Sequence, residues 1–394
     1  MRMFARLATA ALLAVSPALG TAASATVPEP TAPVPLQTSA NAIPGTYIVT
    51  LDHRIDAAVS SAKWGLKPTF VYQKALNGFA APMTPLQLKA VRSTPGVKAV
   101  EQDATVSAIP SLPATAATRA PASSWGLDRI DQRFLPLDNT FTTGGNGAGV
   151  TAYILDTGID YGHDEFGGRA SFGFDAMGDG RAGADCNGHG THVAGTVAGK
   201  TYGVATKAKL VSVRVLGCEG KGSYSGMIAG FDWVARNAKQ PAVLNGSLGG
   251  PASGALNNAA NSLTDAGVLP VIAAGNDAQD ACNVSPASAT RVVTVGASDR
   301  YDRETSFSNW GPCLSLYAPG QAITSARLGG GTVDLNGTSM AAPHVAGTVA
   351  LYKQEHPTAA PAEIARWLDA KSTKDVLSNI SKGSPNQLLF TAGS

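Results

Sequence analysis

Four residue types needed for amide hydrolysis stand at four separated places in this chain. Ser339 lies in Gly337-Thr338-Ser339-Met340-Ala341-Ala342-Pro343. The residues before it suit a tight turn, and the small and apolar residues after it suit a buried helix with Pro343 in its first turn. Its hydroxyl then sits at a helix N-terminus, where unpaired backbone N–H groups favour developing negative charge. Asp156 closes the strand-like run Val150-Thr151-Ala152-Tyr153-Ile154-Leu155, and Thr157-Gly158 follows. His189 stands between two glycines at the head of a small-residue helical stretch. Asn276 follows the apolar pattern Leu269-Pro270-Val271-Ile272-Ala273-Ala274-Gly275. Each falls at a strand end or a helix start, and in a parallel α/β sheet those places converge on one crevice.

A serine hydroxyl is too weak an acid to attack an amide unaided, so an imidazole must take its proton as the bond forms. His189 suits that task and can return the proton to the leaving amine. Asp156 would fix the ring tautomer and stabilise the imidazolium. Asn276 would donate to the tetrahedral oxyanion, a contact worth about 3–4 kcal/mol of barrier. The backbone N–H of Ser339 is the second donor. Taken singly, Asp156 reads as a turn cap, His189 as a polar loop residue and Asn276 as a left-handed turn position. Their joint occurrence favours catalysis. His192, inside the helical stretch, and His344, turned away from Ser339 by its spacing, read as structural.

The order Asp156, His189, Ser339 resembles that of subtilisin-like serine peptidases. The wording is most similar to their proteinase K and aqualysin-type branch. The likeness includes Trp125-Gly126-Leu127-Asp128-Arg129-Ile130-Asp131-Gln132-Arg133, Val213-Arg214-Val215-Leu216, Asn245-Gly246-Ser247-Leu248-Gly249-Gly250 and Ser306-Phe307-Ser308-Asn309-Trp310-Gly311. It runs from about residue 120 to the C-terminus. It implies an α/β fold with a mostly parallel sheet flanked by helices, and a serine endopeptidase that needs no catalytic cofactor. Asp156-Thr157-Gly158 also spells an aspartic-peptidase motif, but no second copy supplies the partner carboxylate. An α/β-hydrolase would order its triad Ser, Asp, His, and too little chain follows Ser339 for its later strands. A peptide-binding scaffold that does not cut would need a broken triad or a blocked oxyanion hole, and the sequence has neither.

The chain has 394 residues, enough for two domains, with 15% charged residues and a net charge of +2. It has no basic stripe, phosphate-cradling GxxxxGK, zinc spacing or His-Glu-x-x-His, so nucleic-acid and nucleotide partners lack support. Arg2 and Arg6 precede the apolar run 7–15, and Ala23-Ser24-Ala25 suits cleavage. Residues 1–25 therefore read as a secretory signal, too short and interrupted to span a bilayer, and an extracellular product is expected. A Pro-rich stretch at 27–35 reads as a flexible or extended leader. Residues 44–107 carry a strand–helix–strand–strand–helix–strand pattern that resembles the small α+β, ferredoxin-like, inhibitory propeptide of subtilases. That likeness implies an intramolecular chaperone and inhibitor. Residues 109–124 read as a linker suited to cleavage. The expected organisation is a propeptide at 26–118 and a peptidase domain at 119–394, with maturation near 118–120. Nothing signals an oligomer, so a monomer acting on protein or peptide substrates is expected.

Behind a secretory signal, Cys186, Cys218, Cys282 and Cys313 suggest two disulfides, and four cysteines allow three connectivities. Similarity to aqualysin-type enzymes implies Cys186–Cys218 and Cys282–Cys313. The family likeness also marks Gly220, Gly222 and Tyr224, with Ser247, Leu248 and Gly249, as two segments that clamp a peptide as an added strand. Ala274 and Gly275 form a small wall beside it, which implies broad specificity with an apolar or aromatic preference before the scissile bond. Asp128, Asp131, Gln132 and Asp138 match a calcium site of some relatives and supply the oxygen ligands calcium prefers. Asp179 and Asp185 are candidates for a second ion. Ser315 stands where the family's proteinase K site needs a carboxylate, a departure that counts against the corresponding site here.

Overall fold

A computed structural model describes residues 32–109, 112–113 and 124–393. The expected signal at 1–25 and the expected maturation point near 118–120 lie outside the described residues. The sheet is built around Thr151–Asp156, a strand buried at every position. Its residues alternate between two cores. Ala152 and Ile154 join the cluster of Val193, Ala194, Met340 and Val345, while Tyr153 and Leu155 join that of Met227, Ile228, Leu256 and Ala260. Both faces are thus covered by helices, which explains why the strand reads as one apolar run.

The nine-stranded sheet places Lys209–Arg214 and then Ala170–Asp175 on one side of Thr151–Asp156. On the other side lie Ala242–Gly246, Leu269–Ala273, Val293–Ser298 and Leu316–Pro319, all parallel to it. The strand order therefore reverses at the strand that carries Asp156. In open α/β sheets that reversal opens a crevice at the carboxyl ends of the strands.

Two helices line this crevice, His189–Ala198 and Thr338–Glu355, packed largely through alanine and valine side chains. Pro343 is not in the first turn of its helix, as its distance from the turn had suggested; it is well inside. Proline there removes the N–H that would bond the Ser339 carbonyl. The hydroxyl of Ser247 donates to that carbonyl instead, at 3.0 Å, and takes a bond from Asn245 Nδ2 at 2.9 Å. The break in the helix thus ties the Ser339 backbone to the neighbouring strand end.

The small domain has the expected element order: Ala42–Leu51, Ala57–Lys63, Phe70–Tyr72, Gly78–Pro82, Pro85–Arg92 and Val97–Ala108. Thr84 and Gln87 form a reciprocal cap at the start of Pro85–Arg92. Two features depart from the sequence reading. The last strand does not stop at Asp103 but runs on to Ala108. The end of the Pro-rich leader is docked: Val34 N–H bonds the Arg92 carbonyl at 2.8 Å, and Leu36–Gln37 pairs with Val100 and Glu101. Val34 and Leu36 pack against the core around Val49 and Phe79, which gives that segment a fixed course.

Candidate active site

Asp156 ends its strand fully buried, and its Oδ1 accepts from His189 Nδ1 at 2.7 Å and from Thr157 N–H at 2.7 Å. His189 is the first residue of its helix, and Gly188 before it adopts φ 103°, a left-handed turn that suits glycine. Asp185 knits the two segments together. It accepts from Thr157 Oγ1 (2.9 Å), from the backbone of Asn187 and Gly188 (2.9 and 3.0 Å), and from Thr191 Oγ1 (2.6 Å). Thr157 Oγ1 in turn accepts from Gly190 N–H at 2.9 Å. Asp185 was expected as an ion ligand; here it positions the Asp156 turn against the His189 helix. Asp179 is engaged separately, by both terminal nitrogens of Arg214 at 2.6 and 2.8 Å. The two carboxylates have different partners and do not form a shared site.

Ser339 sits in the first turn of Thr338–Glu355 and is buried. Its hydroxyl is loosely held, 3.4 Å from the Ile109 carbonyl and 3.3 Å from the Ser247 carbonyl. His189 Nε2 is buried with no hydrogen-bond partner. The Asp–His half of the expected relay is therefore formed, and the His–Ser bond is not. The Ile109 carbonyl neighbours both groups: it accepts from Ser339 Oγ at 3.4 Å and favours the charged form of the His189 ring.

Asn276 is oriented by a residue that the sequence reading passed over. Thr338 donates to Asn276 Oδ1 through both its backbone N–H and its hydroxyl, each at 2.9 Å. With its oxygen held by two donors, the Asn276 amide has a fixed orientation in which Nδ2 is the donor end. Gly337 has φ 151°, and a Cβ there would lie 2.8 Å from Asn276 Nδ2. Only glycine lets this amide lie over the start of the helix. The other two histidines behave as structural groups. Burial pushes His192 down to about 3, and it approaches the Ile323 carbonyl at 3.0 Å. Burial pushes His344 down to about 4, and its ring bonds the Met340 carbonyl at 2.8 Å.

Burial also opposes charge on His189, but the Asp156 carboxylate, with help from Asp185, outweighs it and raises the ring above its ordinary value near 6.5. A general base must be neutral, so activity should fall as pH drops through a midpoint above 6.5. A kcat/KM profile with its acid limb below 6.5 would contradict this geometry.

The cleft is filled by the chain's own Val97–Ala108 strand. It pairs antiparallel with Lys221–Ser223 on one side and with Leu248 and Gly249 on the other. Ala108 N–H bonds the Gly220 carbonyl at 2.7 Å, and Ile109 N–H reaches the Ser247 carbonyl at 3.4 Å. Val106 opposes Gly222 and is buried in the same cluster as Tyr224, Leu216 and Leu248. Gly222 is also required by its own domain, since a Cβ there would strike the Val215 carbonyl. Tyr224 is buried, its hydroxyl bonding the Pro251 carbonyl at 2.6 Å, so it braces the strand beside the occupant. Ala274 is fully buried, and Gly275 borders a cavity of about 440 Å³ beside Ile109 that Gly249, Gly250 and Asp277 also line.

The small domain is anchored beyond the cleft. Glu101 accepts from Ser253 Oγ (2.7 Å) and Ala255 N–H (2.8 Å), at the start of Gly254–Ser262. Asp103 accepts from the backbone and hydroxyl of Ser225, at the start of Tyr224–Asn237. Both carboxylates cap helix N-termini, where anions are stabilised. Asp232 reciprocates, accepting from the backbone of Gln73, Lys74 and Ala75.

The disulfides are Cys186–Cys218 and Cys282–Cys313, with sequence separations of 32 and 31. The first braces the segment before His189 against the strand that receives the occupant. On the Asp128 loop, burial pushes the carboxyls of Asp128 and Asp131 up, and repulsion from Asp138 adds to both. Yet Asp128 accepts from Asp138 and Asn139 N–H, Asp131 from Thr142 N–H, and Asp138 from Thr140. The Gln132 amide donates to the Phe134 and Pro136 carbonyls and does not turn its oxygen to the group. Among the described residues, no three His, Cys, Asp or Glu side chains are arranged to hold one ion. The oxygen chemistry suits calcium, but this arrangement does not enclose it.

Comparison with known proteins matches residues 147–392 to the Subtilase family and residues 46–108 to Peptidase inhibitor I9. The chain is 47% identical over 377 residues to an extracellular serine proteinase of Thermus sp. (strain Rt41A), covering 89% of this chain and 90% of the relative. It is 40% identical over 392 residues to a cuticle-degrading protease of Metarhizium anisopliae, covering 96% and 98%. An alkaline serine exoprotease A of Vibrio alginolyticus is 47% identical over 331 residues, covering 84% of this chain; the chain spans 61% of that relative's length. The crystal structure of a cold adapted subtilisin-like serine proteinase superposes with a TM-score of 0.68 at 48% identity, covering 69% of this chain and all of the other.

Proposed function

Because the chain belongs to the subtilase family of serine peptidases, we propose that it is a secreted endopeptidase made as a self-processing precursor. Asp156, His189 and Ser339 carry the chemistry, and Asn276 is the oxyanion donor. One observation carries this reading: a strand of the chain itself lies across the nucleophile, paired main chain to main chain with both walls of the cleft.

Once that strand leaves, the Ser339 hydroxyl is free to turn to His189 Nε2. The hydroxyl attacks the substrate carbonyl while the imidazole takes its proton, and Asp156 stabilises the resulting imidazolium. The oxyanion develops against Asn276 Nδ2 and the Ser339 N–H, which has no partner within its own helix. The imidazolium then protonates the leaving amine, and water repeats the sequence on the acyl-enzyme. Signal removal, propeptide 26–118 and mature domain 119–394 complete the proposed organisation. Among the described residues, no helix is long and apolar enough to cross a membrane. The segment 46–108 acts as inhibitor and folding partner, anchored by Glu101 and Asp103.

Recognition through backbone pairing supports broad specificity. The cavity beside Ile109 is larger than an isoleucine needs, which supports an aromatic or large apolar residue before the scissile bond. Sequencing the products of a random peptide pool digested by the mature enzyme tests this. Enrichment of aromatic and large aliphatic residues at that position is expected; enrichment of small or charged ones would overturn it.

Calcium has no part in this chemistry. Its proposed role is structural, on the loop of Asp128, Asp131, Gln132 and Asp138, whose side chains would have to turn from their present backbone partners to enclose an ion. A chelator should lower the melting temperature by several degrees, about 1–2 kcal/mol, and change turnover at low temperature little. Unchanged melting would reject the site.

A further inference from the structure

Another cavity, of about 380 Å³, opens against His189 and is lined by no residue of the strand in the cleft or of the two segments that pair with it. His189 and its neighbour Asn187 form one wall; Arg327, Leu328, Val333 and Leu335 form the other. The strand in the cleft runs from Val106, opposite Gly222, to Ile109 at Ser339. All of it therefore lies before the bond that a substrate would present to the nucleophile. His189 protonates the leaving amine, so the residues after that bond lie beside its ring, where this cavity opens.

Apart from His189, Arg327 is the one charged residue of that lining. It stands at the turn between Ile323–Ala326 and Thr332–Asn336, an antiparallel hairpin. Arg327 N–H bonds the Gly331 carbonyl at 3.0 Å, and His163 Nε2 meets the same carbonyl at 3.1 Å, so the turn is braced from outside. Arg327 is exposed; its Nε donates to the Gly330 carbonyl at 2.9 Å, and among the described residues no carboxylate pairs with it. Asp160, which touches this turn, is occupied: it accepts from Gly162 N–H at 3.2 Å and Gly329 N–H at 3.0 Å. The Asn187 amide is occupied too, by the Cys218 carbonyl and His189 N–H. A polar side chain entering between Leu328, Val333 and Leu335 would thus meet the guanidinium, whose terminal nitrogens match a carboxylate. Successive side chains of an extended peptide point opposite ways, so one of the first two residues after the cut faces the cavity. We propose that Arg327 makes the leaving side of the cleft select an acidic residue at that position and disfavour a basic one.

This rests on Ser339 and His189 acting as the catalytic pair, and the test separates the two. Enzyme matured from the full-length precursor is given quenched fluorescent peptides that are identical up to the cut. They carry glutamate, glutamine or lysine at the first or the second residue beyond it, and product masses fix the bond that is cut. At one of the two positions kcat/KM should be about fivefold higher for glutamate than for glutamine, the scale of an exposed ion pair, and lowest for lysine. Salt at about 1 M should bring the ratio towards one by screening. Arg327→Gln should abolish the preference, Arg327→Lys should keep part of it, and Arg327→Glu should favour lysine. Each ratio is taken within one preparation, so the fraction that folds or matures does not enter it. A merely structural Arg327 would slow all the peptides alike and leave the ratio where it was. A wild-type ratio under about twofold at both positions, or a ratio that survives Arg327→Gln, would overturn the proposal. Wild-type enzyme that cuts none of the peptides and takes up no fluorophosphonate at Ser339 would defeat the catalytic reading itself, and the proposal with it.

Discussion

Replacing Ser339 by alanine should lower kcat by about six orders of magnitude, the scale of loss when the nucleophile of a serine–histidine unit is removed. What remains should still exceed the uncatalysed rate, because Asn276 and the helix N–H groups still receive an oxyanion when water attacks. The fold should barely register the change. Ser339 is buried, but its hydroxyl makes only long contacts at 3.3 and 3.4 Å, so melting should move by less than about 1 kcal/mol. Turnover of a peptide substrate, measured beside a melting curve, separates the two effects. A loss of only tenfold would place the nucleophile elsewhere.

Asp156→Asn is the second large effect, with an expected loss of about 10⁴ in kcat. The amide can present an N–H where Asp156 Oδ1 now accepts from His189 Nδ1 at 2.7 Å, which favours the wrong ring tautomer. The pH profile should report the same change independently. Asp156 is the main influence that raises His189 against its burial. Without that charge the ring's value falls, so the acid limb of the residual activity should move to lower pH. An unmoved limb would mean that another group titrates. Thr157 N–H, which also bonds Oδ1 at 2.7 Å, would lose strength as well, so a modest fall in stability is expected.

Much of this site was legible because its parts are local. Thr151–Asp156 is apolar without interruption because helices cover both faces of the sheet, and that pattern alone marks where Asp156 emerges. Gly188 and Gly337 announce the turns before His189 and Ser339 for the same kind of reason: their backbone angles suit glycine. The cysteine pairing came from family likeness, since spacing left three connectivities open. What stayed hidden depends on contacts between distant segments. Nothing near Asp185 reveals that it holds both Thr157 and Thr191, and its charge suggested an ion instead. Thr338 looked like spacer beside Ser339, although it orients Asn276. Pro343 was misjudged because the turn before Ser339 is shorter than its small residues implied, so the helix starts earlier and contains it.

The same limit explains Ile109. Read locally, residues 109–124 are a Pro- and Ala-rich linker, and composition cannot tell a spacer from a strand that borrows both its edges from another domain. Only the register with Gly220 and Ser247 identifies Ile109 as the residue facing the nucleophile. The Ser339 hydroxyl meets the carbonyl of that residue and not His189. It leaves a buried Nε2 waiting for the partner that release of the strand would restore.

The most direct check is covalent. Mature enzyme treated with a fluorophosphonate and mapped by peptide mass should carry one label per chain, on Ser339, with activity lost in proportion. His189→Ala should take up the label at least a thousandfold more slowly, because no base remains to accept the hydroxyl proton. Labelling of a different residue, or full hydrolysis of peptides by enzyme whose Ser339 is already blocked, would contradict the account.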